Sequence, residues 1–394
     1  MKIVFFDVMI HFGGATQLAL DTSIRLAEDN DVVVIDAYGI CREYLEQLTQ
    51  KAIPFYILAP DVKMHSTGSY DNKLKRGYKL LCRIPDFWQI RKKLLKKVLE
   101  IKPDVIWTTS ENALMFLSLD PRFFRYPVSM YVCGCQDAHT VSRWRTWFRN
   151  NRTDGLMAIS SETARQLKIG GAREDNIKVV FDTIDFEQTI KLAQQPLNAP
   201  LPGIGNPKIL LPATLIRTKG QHAAIEAVKL LKEQGFNPVL WLAGDVVGDD
   251  HSYLNSLKKQ IEDSGLTENI HFLGWRYDIP AIMSQKPIVI LPSHTEGFGH
   301  VILEAMLLWC PVAATPVGGI LDSICDNVNG LFFGIDDAVE MANCIEKLTN
   351  DDMLVQRLTE QGYKTVTQRF NPPAHTHRVF DALSSIVEPK KGKG

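Results

Sequence analysis

The fold of this chain is decided near its beginning, where the stretch Ile3–Ile35 reads IVFFDVMIHFGGATQLALDTSIRLAEDNDVVVI. The apolar run Ile3–Phe6 predicts a short buried strand, and a loop with Gly13 and Gly14 follows it. A helical pattern of apolar residues comes next, and Val32–Ile35 predicts a second buried strand. Strand, glycine loop, helix and strand in this order are typical of a parallel doubly wound sheet.

The same alternation of short apolar runs and helical patterns continues along the chain, with a helix predicted at about 87–100. A proline- and glycine-rich segment at 194–205 is interpreted as a linker, and the alternation restarts after it. Because a chain of 394 residues usually holds two domains, we predict an α/β protein with two Rossmann-like doubly wound parallel-sheet domains. These domains are placed at 1–196 and 197–372, with a last helix at about 373–388. The predicted strands are 3–6, 32–35, 55–58, 105–108, 128–132, 156–159, 208–211, 239–243, 270–273 and 287–291.

Composition excludes several classes of protein. The formal net charge of -1 gives the chain no overall attraction for nucleic acid. Its seven cysteines are odd in number and widely scattered, which does not indicate a disulfide framework. The first apolar run ends at Asp7, too early for a signal peptide, and no run reaches the roughly 18 residues of a membrane span. We therefore expect a protein of a reducing, cytosolic compartment.

The segment most informative about chemistry is 292–306, which reads PSHTEGFGHVILEAM. It follows a predicted buried strand and runs into an apolar helix. Its two glycines allow the backbone to approach a ligand, and the helix N-terminus favours an anion such as phosphate. Glu296 and Glu304 are carboxylates that can accept hydrogen bonds from sugar or ribose hydroxyls. The alternative is that Ser293 and Glu296 form only a capping box and that Glu304 is a solvated helix residue.

This segment resembles the Glu-x7-Glu signature of retaining glycosyltransferases of the family 4 type, with Glu296 and Glu304 at the two signature positions. The resemblance implies a GT-B fold, in which two Rossmann-like domains face an interdomain cleft and the last helix packs back on the first domain. Thr214 departs from it, because the family usually has an arginine there, and 182–185 reads DTID where the family has Asn-Gly-Ile-Asp. The resemblance extends over the segments 215–220, 242–245, 272–275, 311–319 and 329–331.

The resemblance also implies roles for individual residues of the second half. Lys219, together with Arg217, would bind the donor diphosphate and stabilise the departing anion. Glu296 and the backbone that follows it would hold the donor sugar, and Glu304 would bind the ribose hydroxyls. Such a cationic cradle implies that no metal ion or other cofactor is needed, and Asp29-Asn30-Asp31 is interpreted as an ordinary turn. The implied donor-site residues in this half are Arg217, Lys219, Gly274, Trp275, Glu296, Gly297, Phe298, Gly299 and Glu304.

The resemblance is weaker in the first half. Gly13 and Gly14 match the family's first glycine loop, which approaches the donor phosphate and the acceptor. His139 follows a predicted strand, where the family often has a histidine that contacts the donor sugar; the alternative is a loop histidine without a role. Cys133, Cys135 and His139 also suggest a metal site, but Cys-x-Cys is not a usual zinc spacing and no fourth ligand is apparent.

Two basic segments with embedded aromatic residues, 73–97 and 143–152, distinguish the first half. Phe87 and Trp88 lie between two clusters of lysines and arginines, and the second segment holds two tryptophans. This combination suits an anionic membrane surface. The alternative is that the cations form a solvated helix face while the aromatic residues belong to the core. We predict peripheral attachment to the inner face of a membrane, which fits a lipid-linked acceptor.

Together these features predict a retaining hexosyltransferase that uses a nucleoside diphosphate sugar, with UDP favoured, and a hydroxyl acceptor on a lipid-linked or cell-envelope glycan. One alternative is a nucleotide-sugar epimerase or a glycan phosphorylase on the same fold, neither of which is expected to carry the Glu-x7-Glu segment. Another is a non-catalytic relative that binds a nucleotide sugar. Thr214 favours this second alternative, whereas retention of Lys219, Glu296 and Glu304 opposes it.

Overall fold

The structure is a computed structural model that describes residues 1–10, 13–61, 73–118, 121–134, 143–246, 248 and 250–391, with the backbone alone at 73–84, 124 and 388–391. The chain forms two compact α/β units, each built around its own parallel sheet. Unit 1 consists of Met1–Ile159, Ala164–Val180 and Thr376–Gly394, and unit 2 of Ser160–Thr163 and Phe181–His375.

Unit 1 contains a seven-stranded sheet with the order β3-β2-β1-β4-β5-β6-β7. Its inner strands are mostly apolar and are buried along nearly their whole length, because helices cover both faces of a parallel sheet. The strands are β1 Lys2–Asp7, β2 Asp31–Asp36, β3 Phe55–Ile57, β4 Val105–Thr108, β5 Val128–Val132, β6 Gly155–Ala158 and β7 Ile177–Val179. The helices up to the end of this sheet are α1 Gly14–Leu26, α2 Arg42–Gln50, α3 Lys73–Ile101, α4 Glu111–Ser118, α5 Arg143–Arg152 and α6 Ser161–Ile169.

Unit 2 contains a six-stranded sheet with the order β10-β9-β8-β11-β12-β13. Its strands are β8 Lys208–Pro212, β9 Val239–Ala243, β10 Ile270–Gly274, β11 Ile288–Leu291, β12 Val312–Ala314 and β13 Leu331–Phe332. The remaining helices are α7 Phe186–Ala193, α8 Gln221–Glu233, α9 Ser252–Asp263, α10 Ile279–Met283, α11 His300–Leu307, α12 Ile320–Ser323, α13 Ala338–Asn350, α14 Asp352–Arg369 and α15 Pro372–Lys391. All strand pairs in both sheets are parallel, as the sequence predicts.

The chain passes from unit 1 to unit 2 at Val180/Phe181, before the proline-rich segment that the sequence analysis interpreted as a linker. That segment is fastened to unit 2 by hydrogen bonds. The backbone N–H of Asn198 donates to Asp278 Oδ2 at 2.7 Å, and the Trp241 indole N–H donates to the carbonyl of Pro202 at 2.8 Å. These bonds and the packing of α7 on α10 hold residues 181–205 to unit 2. The segment 181–205 therefore belongs with the second sheet rather than with the first.

The last helix, α15, begins in unit 2, and its residues from Thr376 onward belong to unit 1. Within the described ranges no helix has both the length and the apolar character that crossing a lipid bilayer would require.

Candidate functional site

Three loops of unit 2 meet at one edge of its sheet. They follow β8, β11 and β12, which are neighbours in the sheet, and the carboxyl ends of parallel strands lie at a common edge. The backbone N–H of His294, after β11, donates to the carbonyl of Thr218, after β8, at 2.8 Å. The hydroxyl of Thr315, after β12, donates to the carbonyl of Ser293 at 2.5 Å. Hydrogen bonds within the protein therefore join the β11 loop to the β8 loop and to the β12 loop.

Two glycines make this close meeting of loops possible. Gly318 has φ +53°, and a Cβ atom on it would lie 1.8 Å from the carbonyl oxygen of Glu296. Gly220 has φ +71°, and a Cβ atom on it would lie 2.1 Å from the carbonyl oxygen of Pro292. Both positions combine a left-handed backbone with contact against another loop, so any side chain would force the loops apart.

A lysine and a glutamate face each other where the β8 and β11 loops touch. The Lys219 ammonium forms an ion pair with Glu296 Oε1, and both side chains are largely buried. The hydroxyl of Ser293, which is fully buried, donates to the same carboxylate oxygen at 2.7 Å. The capping-box alternative for Ser293 and Glu296 is wrong, because α11 is capped by Gly299 and the Glu296 carboxylate bonds to a side chain instead.

The start of α11 lies beside this pair. Gly299 caps the helix with φ +81°, a left-handed conformation that glycine adopts without strain. The Phe298 ring is buried, with its centroid 6.2 Å from that of Phe181 and 5.5 Å from that of Phe370. Phe298 therefore anchors the loop in the core of unit 2, and only its backbone and that of Gly297 remain as candidates for ligand contact.

A histidine at the first position of α11 forms an ion pair that the sequence analysis did not single out. His300 Nε2 lies 2.5 Å from Asp182 Oδ2, and Asp182 is almost fully buried. Burial alone would lower the pKa of His300, but the Asp182 carboxylate, aided by Glu304 and Glu296, raises it to about 9. His300 is therefore an imidazolium at neutral pH. The signal in the sequence was indirect, since Asp182 occupies the turn that departs from the family's Asn-Gly-Ile-Asp.

Glu304 lies one turn further along α11 and is half-buried. Burial raises the pKa of its carboxyl group, and the positive charge of the nearby His300 opposes that rise. The alternative of a fully solvated helix residue is therefore wrong for Glu304. Glu296, His300 and Glu304 form one electrostatically coupled group, in which a single cation lies close to two carboxylates.

Arg217 and the β10 loop both precede this group in the chain. Arg217 opens the short 3-10 turn Arg217–Lys219 and is exposed. Burial lowers the pKa of the His222 imidazole, Asp336 opposes this, and the positive charge of the nearby Arg217 lowers the pKa further. Gly274 ends β10 with φ +65°, and the Trp275 side chain after it is 61% exposed. The Trp275 and Tyr277 rings form a T-shaped pair with centroids 6.1 Å apart, and the exposed surface of Trp275 can stack on a planar ligand.

In unit 1, Gly13 and Gly14 lie at the N-terminus of α1, and a Cβ atom on either would meet no other atom within 4 Å. Packing therefore does not require glycine at these positions. Asp7, at the end of β1, accepts hydrogen bonds from the Thr109 backbone N–H at 2.7 Å and the Thr109 hydroxyl at 2.6 Å. Asp7 thereby fixes the loop after β4 against the loop after β1, a role that spacing along the chain does not reveal.

His139 and Cys135 lie outside the described residues. Cys133 is described: it follows β5, and its thiol is directed at the carbonyl of Tyr131, 3.5 Å away. The metal site considered for these three residues therefore stays without geometric support.

The comparisons with known proteins agree with this geometry. Residues 201–365 match the family model described as Glycosyl transferases group 1. The match covers less than half of the chain and includes the loops after β8, β11 and β12. The family model and the relatives together support the glycosyl transferases group 1 family.

Two curated relatives are glycosyltransferases of bacterial envelope glycans. The lipopolysaccharide core biosynthesis glycosyltransferase LpsE of Rhizobium meliloti is 29% identical over 241 residues, which is 61% of this chain and 66% of that protein. The capsular polysaccharide biosynthesis glycosyltransferase CapM of Staphylococcus aureus is 23% identical over 385 residues, which is 92% of this chain and 98% of that protein. The match with LpsE thus spans just under two thirds of that relative.

Among solved structures, Anabaena HepE in complex with UDP has a TM-score of 0.79 at 22% identity, covering 98% of this chain and 100% of that one. The complex of HepE with UDP-glucose has a TM-score of 0.74. Identity at this level establishes the fold alone. The chain has the GT-B fold, with two parallel-sheet α/β units, and this part of the sequence prediction is confirmed.

The basic segments are less uniformly exposed than their composition suggests. Arg91 and Arg149 are buried, and Arg149 pairs with Glu111 at 3.6 Å. The Lys93 ammonium donates to the carbonyl of Leu58 at 2.8 Å. Three tryptophans, in contrast, are more than half exposed, with Trp88 on α3 and Trp144 and Trp147 on α5. The alternative that the aromatic residues of these segments belong to the core is therefore wrong for the tryptophans.

One group of residues in unit 2 has the chemistry of a metal site. His222 Nε2 and His294 Nε2 lie 2.9 Å and 2.8 Å from the same oxygen, Asp336 Oδ1. The three ligand atoms lie within 4.8 Å of one another. Sequence reasoning missed this group, because its members come from one helix and two loops that are distant in the chain and show no motif spacing.

Proposed function

We propose that this chain is a retaining, metal-independent hexosyltransferase that moves a sugar from a nucleoside diphosphate sugar, UDP-sugar above all, to a hydroxyl acceptor. The observation that carries the proposal is the meeting of Lys219 with Glu296 at the carboxyl ends of β8 and β11, within the segment that matches the family model. A cation and a carboxylate at that edge of a doubly wound sheet suit the diphosphate and the hydroxyls of such a donor.

In this proposal the donor separates the Lys219–Glu296 pair. The ammonium group of Lys219 turns to the diphosphate, and the freed Glu296 carboxylate accepts hydrogen bonds from the sugar hydroxyls. Ser293 donates to that carboxylate in either state and holds it in place. The positive charge on Lys219, supported by Arg217 and the imidazolium of His300, stabilises the anion that forms as the nucleoside diphosphate departs.

The donor's nucleoside is assigned to the remaining residues of this edge. Glu304 accepts hydrogen bonds from the ribose hydroxyls, and the exposed face of Trp275 after Gly274 stacks on the base. HepE was crystallised with UDP and with UDP-glucose, which supports uridine as the base here. The leaving phosphate itself takes the acceptor proton on the same face of the sugar, so retention follows without a dedicated protein base.

The acceptor is proposed to be a lipid-linked or cell-envelope glycan bound at unit 1, near Gly13 and Gly14, and His139 is proposed to contact the donor sugar. Support comes from LpsE and CapM, whose names place them in lipopolysaccharide core and capsular polysaccharide biosynthesis. A Cβ atom on Gly13 or Gly14 would meet no other atom within 4 Å, which suits the approach of an acceptor or a donor phosphate.

Attachment to an anionic membrane surface is part of the same proposal. The exposed Trp88, Trp144 and Trp147 would enter the interface, and the exposed Lys92 and Lys96 would meet the lipid charge. Co-sedimentation with vesicles of rising anionic lipid content tests this, with Trp88→Ser and Lys96→Gln expected to lower the bound fraction. If the bound fraction depends neither on the anionic lipid content nor on the two substitutions, attachment to an anionic membrane surface is contradicted.

The direct test of the reaction is product analysis. The full chain is incubated with UDP-glucose, UDP-galactose, UDP-N-acetylglucosamine and GDP-mannose, with and without a fraction of lipid-linked glycans. Release of nucleoside diphosphate that depends on the acceptor, with a product whose anomeric configuration by NMR equals that of the donor, supports the proposal. A product of inverted configuration would contradict retention. Conversion of the donor sugar without any acceptor would indicate an epimerase instead.

A further inference from the structure

A second site lies at the same edge of unit 2, outside the residues assigned to the donor. We propose that His222, His294 and Asp336 bind one divalent transition-metal ion such as Zn²⁺, which fastens the start of α8 to the loops after β11 and β13. Two imidazole nitrogens and one carboxylate oxygen are a donor set that Zn²⁺ and its first-row neighbours favour.

The geometry of the three ligand atoms fits a metal ion after a small adjustment. Both imidazole nitrogens approach the same Asp336 oxygen, at 2.9 Å and 2.8 Å. A tetrahedral Zn²⁺ with bonds of about 2.0–2.1 Å keeps its ligand atoms about 3.3 Å apart. Each imidazole nitrogen therefore needs to move about 0.5 Å away from the Asp336 oxygen. Partly exposed side chains can make such a movement by rotation about their side-chain bonds.

The three ligands come from elements that are distant in the chain. His222 is in the first turn of α8, His294 is in the loop after β11, and Asp336 is in the loop after β13. Asp336 has φ +56°, a left-handed conformation that is uncommon for residues other than glycine. All three side chains are partly exposed, so water can complete the coordination sphere.

A second group orients one of the ligands. Tyr253, on α9, has its hydroxyl 3.1 Å from His222 Nδ1. In the tautomer that donates Nδ1–H to this hydroxyl, the lone pair of Nε2 is directed at the site. Metal-bound histidines usually make such a bond through their other ring nitrogen. The Tyr253 hydroxyl is therefore a positioning group for the ion.

The ion would act on structure rather than on the transfer reaction. His222 lies shortly after Lys219 in the chain, and His294 lies two residues before Glu296. A metal bound to both would tie the Lys219 turn to the Glu296 loop, in addition to the backbone bond between His294 and Thr218. Because the ion would contact neither Lys219 nor Glu296, this site is compatible with transfer that needs no metal at the diphosphate.

The test is a titration of the tag-free, chelator-treated full chain with CoCl₂, followed by visible absorption. We expect one Co²⁺ per chain with the spectrum of nitrogen and oxygen ligands and without a thiolate charge-transfer band. His222→Gln and Asp336→Asn should each abolish this spectrum, and Tyr253→Phe should weaken binding about tenfold or more. Zn²⁺ should raise the unfolding temperature of the wild type and of neither ligand variant.

The matched control is His377→Gln, which removes a histidine from an exposed pair with Asp381 at 2.9 Å. It should leave the cobalt spectrum unchanged. Comparing unfolding temperatures in EDTA separates a folding defect from loss of a ligand, because all variants should then unfold close to the wild type. The proposal is overturned if Co²⁺ binding survives His222→Gln and Asp336→Asn, if a thiolate band appears, or if no Co²⁺ binds.

Discussion

The ion pair between Asp182 and His300 gives the sharpest prediction about stability. Asp182→Asn keeps the shape of the side chain and removes its charge, so that His300 loses the group that holds its proton. The pKa of His300 is about 9 in the folded chain, compared with 6.5 for an unperturbed histidine. This difference corresponds to about 3.4 kcal/mol of preference for the protonated form. Because the His300 side chain is 37% exposed, solvent screening reduces the expected effect to about 1–2 kcal/mol.

The sign of the pH dependence follows from the direction of each pKa. A histidine whose folded pKa is raised stabilises the fold fully below pH 6.5 and loses that stabilisation as the pH rises through about 9. The pKa of Asp182 is lowered, because the attraction of His300 outweighs burial. Its contribution therefore disappears only as the pH falls below the ordinary aspartate value of about 3.9. The free energy of unfolding of the wild type should exceed that of Asp182→Asn by the largest amount between about pH 4 and 6.5.

The assay is urea unfolding at intervals from pH 5 to 9.5, with the free energy of unfolding compared between wild type and Asp182→Asn. The control is Asp185→Asn, because Asp185 caps α7 by accepting a hydrogen bond from the Gln188 backbone N–H at 2.9 Å and asparagine caps equally well. The difference for Asp182→Asn should shrink by about 1–2 kcal/mol between pH 6 and 9.5. A difference that stays constant over that range would refute the claim that His300 carries a proton at neutral pH.

Three further predictions concern the edge of unit 2. Glu304→Gln should weaken binding of UDP measured by calorimetry by about 1.5–3 kcal/mol, and an unchanged Kd would show that Glu304 has no ribose partner. Trp275→Ala should weaken UDP binding by about 1–3 kcal/mol through lost stacking and leave the unfolding temperature unchanged. If the variant binds UDP as tightly as the wild type, the base does not stack on Trp275. Gly318→Ala should destabilise unit 2 by about 1–3 kcal/mol more than Gly265→Ala. Gly265 is the control because it has φ +63° and no atom within 4 Å of a Cβ, so an equal effect of the two substitutions would deny the contact with Glu296.

The sequence predicted the long buried strands of both sheets and the short β3, and missed β7, β12 and β13. Runs such as Val128–Val132, with Ser129 as its one polar residue, and Val239–Ala243 are apolar, because parallel strands are covered on both faces. β7, β12 and β13 have only two or three residues, and β7 contains Lys178 on a partly exposed edge. The helix α3 begins at Lys73, earlier than the predicted start at about 87, and it contains Pro85.

In the candidate site, the sequence revealed residues in local motifs and missed pairs that are distant in the chain. Lys219 and Glu296 could be predicted because each belongs to a local motif next to a strand. The pairs that shape their surroundings join distant parts of the chain, as with Asp182 and His300, which are 118 residues apart. Such pairs leave no periodic pattern in a single sequence, so only the fold reveals them.

The central claim is that Lys219 binds the donor diphosphate at the edge of unit 2, and calorimetry of UDP against UMP tests it most directly. The wild type, Lys219→Met and Lys229→Met are compared without added metal. Lys229 is the control because it is a partly exposed lysine that pairs with Glu226 at 3.1 Å. The account predicts that the wild type and Lys229→Met prefer UDP to UMP, and that Lys219→Met loses about 1.5–3 kcal/mol of UDP binding and most of that preference. Equal binding of UDP by Lys219→Met and the wild type would contradict it.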